Sequence, residues 1–497
     1  QQMTQFGGLG HSAVIHSEDK GVVREFTKRV QAGRLLVNTP SVHGAIGEIY
    51  NANTPSLTLG CGSMGGNSTT DNVSVHNLLN IKRVATRQSR MKWFRLPERI
   101  YFEPGSLEYL SKLYTHKRAV IITDVTMLEL GYVERAIQQL AKVNMEVRVF
   151  EEVEPDPSVE TVERGTALLQ DFQPDLIIAL GGGSPIDAAK AMWLFYEYPD
   201  TNFEALRLRF SDIRKRTFKY PKLGIKATFI AIPTTSGTGS EVTSFAVITD
   251  KKRGIKYPLA DYELQPDVAI IDPTLVTSLP PAATADTGID ALVHAIEAYV
   301  SLLASDYTDA LALKAIELVM HWFPIAYRNP ENFKAREKMH NAATIAGMAF
   351  TNAFLGLNHS MAHVLGAHFH IPHGRANALL LPHVIRYNAA RPSKLAAYPQ
   401  YEYPQADQRY ASIARYLNLA AASTAEGVDS LITALIQLSN ELELPLTLAA
   451  AKVDEQKFLA SVEDMAYEAF ADQTTSTNPR IPLVNEIKDL YMQCYYE

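Results

Sequence analysis

Cysteine is almost missing: Cys61 and Cys494 are the whole complement of a 497-residue chain, and they stand far apart. Two such residues cannot make a disulfide framework or a Cys-rich zinc module, and they suit a reducing cytoplasm. An excess of positive charge is lacking too. Lys and Arg number 47 against 54 Asp and Glu, for a net charge of -7, which argues against nucleic acid as a partner. Anionic cofactors stay open, because backbone N–H groups and helix ends can hold a phosphate. No uninterrupted apolar run approaches the roughly 18–20 residues of a bilayer span, so no membrane partner is expected. The opening QQMTQFGGLGHS has no charged-then-apolar signal layout. It does not look like a natural start either, and a piece of a longer polypeptide is expected.

What is present is ordinary for a globular protein: 46% apolar and 20% charged residues, with length for two or three domains. Residues 1 to about 90 are rich in Gly, Ser, Thr and Asn, as in LTLGCGSMGGNSTTDNVSVHN at 57–77, and show no extended helical period. SAVIHS and RLLVN look like strands with little core to support them, followed by a linker through about 92. From 93 the texture changes. RAVIITD, MEVRVFEEV, DLIIALGGG, ATFIAIPTT and VAIIDP predict strands, separated in places by helical VERAIQQLAKV, SVETVERGTALLQDF and SPIDAAKAMWLFY. Near-continuous apolar strands between amphipathic helices predict a parallel sheet covered on both faces. After Pro280–Pro281 only helical spacing is found. The expected division is 1–92, an α/β dinucleotide-binding domain over 93–280, and an all-helical metal-binding domain over 281–497.

Gly181, Gly182, Gly183, Ser184 and Pro185 lie between the apolar strand DLIIAL and a helix. Strand, glycine turn and helix N-terminus together offer open N–H groups to a pyrophosphate. This is not GxGxxG, and a plain tight turn has the same composition. A second polar loop, Pro233–Glu241, follows ATFIAI and fits a phosphate or ribose contact as well as a capped turn. Asp124 ends a strand, where a carboxylate can hold a ribose hydroxyl and disfavour a 2′-phosphate, or simply cap a helix.

Five of the fourteen histidines fall between 359 and 373, in NHSMAHVLGAHFHIPHG. Upstream, Asp290 and His294 are one turn apart on one helical face. Carboxylate with imidazoles suits Fe²⁺ or Zn²⁺. Spacing alone favours His359 and His363, an i, i+4 pair, while His373 sits between Pro372 and Gly374 at a helix-to-turn break. Pattern leaves open which two of the three complete the set.

GGGSPIDAAK, PTTSGTGSE, DALVHAIEAY, LNHSMAHVLG and PHGRANALLLPHV closely resemble the iron-containing alcohol dehydrogenases, over roughly 93–497. The chain further resembles the C-terminal half of the bifunctional aldehyde–alcohol dehydrogenases. GGLGHSAVIHSED, RLLVNTPSVHGAIGEIYN and NLLNIKRVA are similar to the end of their aldehyde dehydrogenase half. The resemblance implies the dehydroquinate synthase-like fold and a ligand set of Asp290, His294, His359 and His373, with His363 beside substrate and nicotinamide as a proton relay. It also implies that Asp124 meets the adenosine ribose, that Gly182, Gly183 and Ser184 take the pyrophosphate with Thr234 and Thr235 nearby, and that Lys256 nears the nicotinamide ribose. The family's cofactors are NAD(H) and Fe²⁺, with Zn²⁺ the alternative; its reaction is reduction of a short-chain aldehyde, acetaldehyde, to the alcohol. Its bifunctional members form homo-oligomers and filaments. Neither cysteine matches the aldehyde dehydrogenase nucleophile, so no acetyl-CoA reductase activity is expected. LRLRFSDIRKRTFKYPKLG at 206–224 is a basic insertion relative to shorter members, suited to contact with the other half or a neighbouring subunit. The rivals are a zinc polyol dehydrogenase of the same fold, a dehydroquinate-synthase-like lyase and a filament-assembly module.

Overall fold

A computed structural model describes residues 9–46, 82–86, 93–201, 206, 213–215, 219–251, 255–394 and 405–497. Contacts divide the chain into two units, one built mainly from residues 1–93 and the other from most of 94–497.

In the first unit, β1 (Gly10–Ile15), α1 (Lys20–Arg29), β2 (Ala32–Val37), α2 (Ser41–Ile46) and β3 (Arg83–Thr86) form a three-stranded parallel sheet in the order β1-β2-β3. Among the described residues its core comprises Ala13, Val30, Ala32 and Leu35 with Phe26, and Leu36 with Ala45. The sequence reading finds the two strands but overlooks α1. That helix starts on an Asp19 cap, is only ten residues long and buries no residue fully. Cys61 lies outside the described residues.

The second unit begins with a six-stranded, wholly parallel sheet. Its strands are β4 (Arg99–Phe102), β5 (Arg118–Ile122), β6 (Glu146–Phe150), β7 (Leu176–Gly181), β8 (Thr228–Pro233) and, after a hairpin, β11 (Val268–Ile271); their spatial order is β4-β11-β8-β7-β5-β6. Five of the six are the predicted ones. The sixth, β4, is a four-residue edge strand whose half-exposed residues do not alternate clearly. Every side chain of β7 is buried, which explains its uninterrupted apolar run. Helices α3 (Val125–Glu129), α4 (Tyr132–Ala141), α5 (Val159–Phe172) and α6 (Gly183–Glu197) cover the sheet. Helix α6 is buried almost all round, between the sheet and the antiparallel hairpin β9 (Phe245–Asp250) and β10 (Ile255–Ala260).

Helices α7 (Pro281–Val300), α8 (Asp306–Arg328), α9 (Phe333–Ala353), α10 (Leu357–Phe369), α11 (His373–Ala389), α12 (Ala406–Tyr416), α13 (Thr424–Glu441), α14 (Glu455–Ala471) and α15 (Val484–Tyr496) follow. Small residues let α7, α8 and α9 pack closely: Ala291, Ala295, Ala312, Ala315, Ala342 and Ala346 are all fully buried. Among the described residues α8 alone is long and apolar enough to meet a membrane-span criterion. Its Ile316, Val319 and Phe323 lie in the core with residues of α7 and α9, so protein packing accounts for that composition.

Candidate functional site

The chain runs from β5 outward to β6, then crosses to β7 on the other side of β5. Such a reversal opens a crevice at the carboxyl ends of the strands. There, Asp124 after β5, Glu151–Glu154 after β6, Gly182–Pro185 after β7 and Thr234, Thr235 and Thr238 after β8 line one cavity of about 710 Å³. Gly181 has φ +152°, and a Cβ there would lie 2.6 Å from the Pro185 ring, so the turn requires glycine. Gly182 is the N-cap of α6 and gives no side-chain cap, leaving the first-turn N–H groups for a ligand. The buried Thr234 hydroxyl makes no hydrogen bond, as suits a side chain awaiting a polar ligand. These residues fit a dinucleotide pyrophosphate.

Asp124 caps α3, its Oδ1 accepting from Met127 N–H at 3.2 Å, and the residue also lines the cavity. Lys256 is in β10 opposite Thr249, but its side chain lies outside the described residues. Of the basic insertion, 207–212 and 216–218 also lie outside them.

The loop after β8 is held from beneath. Lys190, fully buried in α6, donates to Ser240 Oγ, Thr243 O, Thr243 Oγ1 and Phe245 O at 2.7–3.2 Å. Burial brings its pKa down to about 8, against the attraction of Asp187 and Glu241. Asp187 accepts from Ser240 Oγ at 2.5 Å and from Val247 N–H at 2.9 Å.

The same cavity reaches Thr287 on α7. One turn further along that helix the ligand candidates gather: Asp290, His294, His359 from α10 and His373 at the start of α11 each offer an atom within 4.8 Å of the others. Asp290 Oδ1 stands 3.5 Å from His359 Nε2, 3.5 Å from His373 Nε2 and 3.8 Å from His294 Nε2. Tetrahedral bonds of about 2.0–2.2 Å place ligand atoms about 3.3–3.6 Å apart, so donor set and spacing fit a divalent ion. His363 is not in this set. Its ring stacks on that of His373 at 5.3 Å, and its Nδ1–H donates to Asp472 Oδ2 at 2.9 Å. The i, i+4 pair favoured by spacing is therefore divided: His359 joins the cluster and His363 stands beside it.

Burial lowers the His294 pKa to about 4, with Asp290 opposing. Burial also acts against His359⁺, but Glu297 and Asp290 outweigh it and push that pKa up to about 9. Asp290 would be raised by burial, yet the three imidazoles hold it far below the ordinary carboxylate range. A carboxylate this firmly ionised, among imidazoles that lose their protons on ligation, is the charge pattern of a cation site.

Three contacting residues escape the sequence reading. Glu297 accepts from His359 Nδ1, and Asn377 Nδ2 donates to Asp290 Oδ1 at 2.9 Å. Asp472 holds His363; burial raises its pKa, but His363 and Thr474 pull it down to about 2. Glu297 extends the Asp290–His294 stripe to i+7, and Asn377 is i+4 from His373, so helical spacing carried both signals. Asp472, 109 residues from its partner, carried none.

Two family profiles match the chain: "Iron-containing alcohol dehydrogenase" over residues 97–273 and "Fe-containing alcohol dehydrogenase family, C-terminal" over 284–495. An aldehyde-alcohol dehydrogenase of Streptococcus pneumoniae (strain D39) is 53% identical over 498 residues. That match takes in 100% of this chain and 56% of the relative, so the chain spans little more than half its length. An NADPH-dependent butanol dehydrogenase of Clostridium saccharobutylicum is 47% identical, over 82% of this chain and 98% of its own. Among solved structures, an iron-containing alcohol dehydrogenase from Thermococcus thioreducens superposes with TM-score 0.71 at 37% identity, covering 81% of this chain and 99% of that one. The chain thus belongs to the iron-containing alcohol dehydrogenases, oxidoreductases that use NAD(H) and a divalent metal, and corresponds to the alcohol dehydrogenase half of the bifunctional relatives.

Proposed function

We propose that this chain catalyses reversible NADH-dependent reduction of a short-chain aldehyde, acetaldehyde, to its primary alcohol, with Fe²⁺ held by Asp290, His294, His359 and His373. The observation that carries the reading is the continuity of the two sites: Thr287, in the cavity wall, and Asp290, in the cluster, are three residues apart on α7, about 4.5 Å along the axis.

When bound, the ion supplies Lewis acidity toward the substrate oxygen and the nicotinamide supplies hydride chemistry. The protein's own contribution is placement. Gly182, Gly183 and Ser184 hold the pyrophosphate at the α6 N-terminus, with Thr234 and Thr235 across the cleft. Asp124 bonds the adenosine ribose and repels a 2′-phosphate; Lys256 contacts the nicotinamide ribose. Asp472 accepts the Nδ1 proton of His363, leaving Nε2 as the atom that passes a proton between the alcohol oxygen and solvent. Residues of both layers line the cleft, Thr287 of α7 among them.

Asp290→Ala and His359→Ala should abolish acetaldehyde-dependent NADH consumption while NADH still binds with near-parent affinity in a fluorescence titration. Near-normal turnover in either variant would refute the metal assignment.

A further inference from the structure

Helix α7 places a third acidic or basic side chain in line with the two it gives the cluster. Asp290, His294 and Glu297 stand at i, i+4 and i+7, on one stripe. Glu297 is 4% exposed. A carboxylate so buried is costly unless its oxygens are bonded, and both are. Oε1 accepts Asn358 N–H at 2.8 Å, at the first turn of α10, and Oε2 meets His359 Nδ1. An ionised carboxylate only accepts, so Nδ1 carries the hydrogen. In the neutral imidazole that ligation requires, the lone pair is then on Nε2, the atom 3.5 Å from Asp290 Oδ1.

The surroundings permit no easy substitute. Oε1 is also 3.0 Å from where a Cβ on Gly356 would stand, so the chain entering α10 passes directly over the carboxylate. His359 is 1% exposed and stacked on His294 at 4.5 Å, which holds its ring plane but does not select which nitrogen is protonated. Glu297 bonds Nδ1 itself, and the Asn377 amide nitrogen, 3.3 Å from Nε2, favours the same tautomer from the other side.

We propose that Glu297 is a positioning residue of the metal centre, fixing His359 in the Nδ1–H tautomer with Nε2 toward the other three donors, and so setting the affinity of the site for its ion. It does so at one remove, bonded to the ligand and not itself a ligand. The inference rests on the reading of Asp290, His294, His359 and His373 as the ligand set. Outer carboxylates on metal-bound imidazoles are worth about 10–100-fold in affinity.

Glu297→Gln tests this with almost no change of shape. A glutamine has one acceptor where the site needs two. Keeping the Asn358 N–H satisfied turns its NH₂ group to Nδ1, which favours the Nε2–H tautomer that cannot ligate. Metal-free and Zn²⁺-titrated samples of the parent, E297Q, H359A and the double variant are compared by chelator competition, with thermal melting of the metal-free proteins as the folding control. E297Q should melt with the parent and bind Zn²⁺ about 10–100-fold more weakly; in the H359A background it should change affinity no further. Parent-like affinity in E297Q, or the same loss with His359 already gone, overturns the role of Glu297. Unchanged affinity in H359A overturns the ligand set itself. A measurement on the parent alone stands if E297Q does not fold: nitrogen-15 shifts of His359 in the zinc-loaded protein should show a protonated Nδ1, and a protonated Nε2 contradicts the proposal.

Discussion

Asp124 performs two jobs with one carboxylate, and they can be separated. It caps α3 by accepting from Met127 N–H, and it puts a negative charge in the cofactor cavity. The neighbouring Glu152 and Glu154 have their own partners, Arg164 and Lys251, while Asp124 Oδ2 lies beside the glycine turn, 3.5 Å from where a Cβ on Gly181 would stand. Asp124→Ser keeps an N-capping oxygen and removes the charge. Its melting temperature should match the parent's, while the NADH-over-NADPH preference in kcat/KM falls about tenfold or more. An unchanged preference would move cofactor selection elsewhere. Residue chemistry was the most legible part of the sequence. Asp290, His294, His359 and His373 were readable as donors from residue type and motif. Choosing between His363 and His373 was not, because i, i+4 spacing describes a helix face, and His373 comes to the cluster from the start of a different helix.

At the level of elements, the site depends on how closely α11 approaches α7. Gly374 follows His373, and a Cβ there would stand 1.6 Å from the Asp286 carbonyl oxygen, one turn before Asp290. Arg375 then clasps the Asp286 carboxylate, with Nε and Nη2 each at 3.2 Å. Gly374→Ala must push the α11 N-terminus off α7 and carry His373 out of reach of the other donors. Overpacking of this kind costs about 1–3 kcal/mol. A lower melting temperature and weaker Zn²⁺ binding should therefore appear together; unimpaired metal binding would show that the contact does not place His373. The strands and helices themselves were well marked where burial on both faces produced unbroken apolar runs, as in β7. The exceptions are edge or surface elements: β4, whose four residues show no clear alternation, the short β9–β10 hairpin, and α1, ten residues with none fully buried. Contacts such as His363 to Asp472 depend on tertiary packing across more than a hundred residues and leave no periodic trace.

Across the whole molecule, two layers with different tasks meet on one helix. The parallel sheet supplies a cavity with open N–H groups at the α6 N-terminus; the helical layer supplies four buried donors. Neither feature alone specifies a dehydrogenase, since a phosphate loop serves many folds and a His–Asp cluster many reactions. Their adjacency through α7 is what joins a hydride carrier to a Lewis acid. Anaerobic NADH consumption with acetaldehyde, on metal-stripped protein before and after adding Fe²⁺ or Zn²⁺, tests that union most directly. The account predicts silence without metal and turnover restored by Fe²⁺ but not by Zn²⁺. Restoration by Zn²⁺ would contradict the iron assignment, and silence with both ions on folded, metal-binding protein would contradict the dehydrogenase reaction itself.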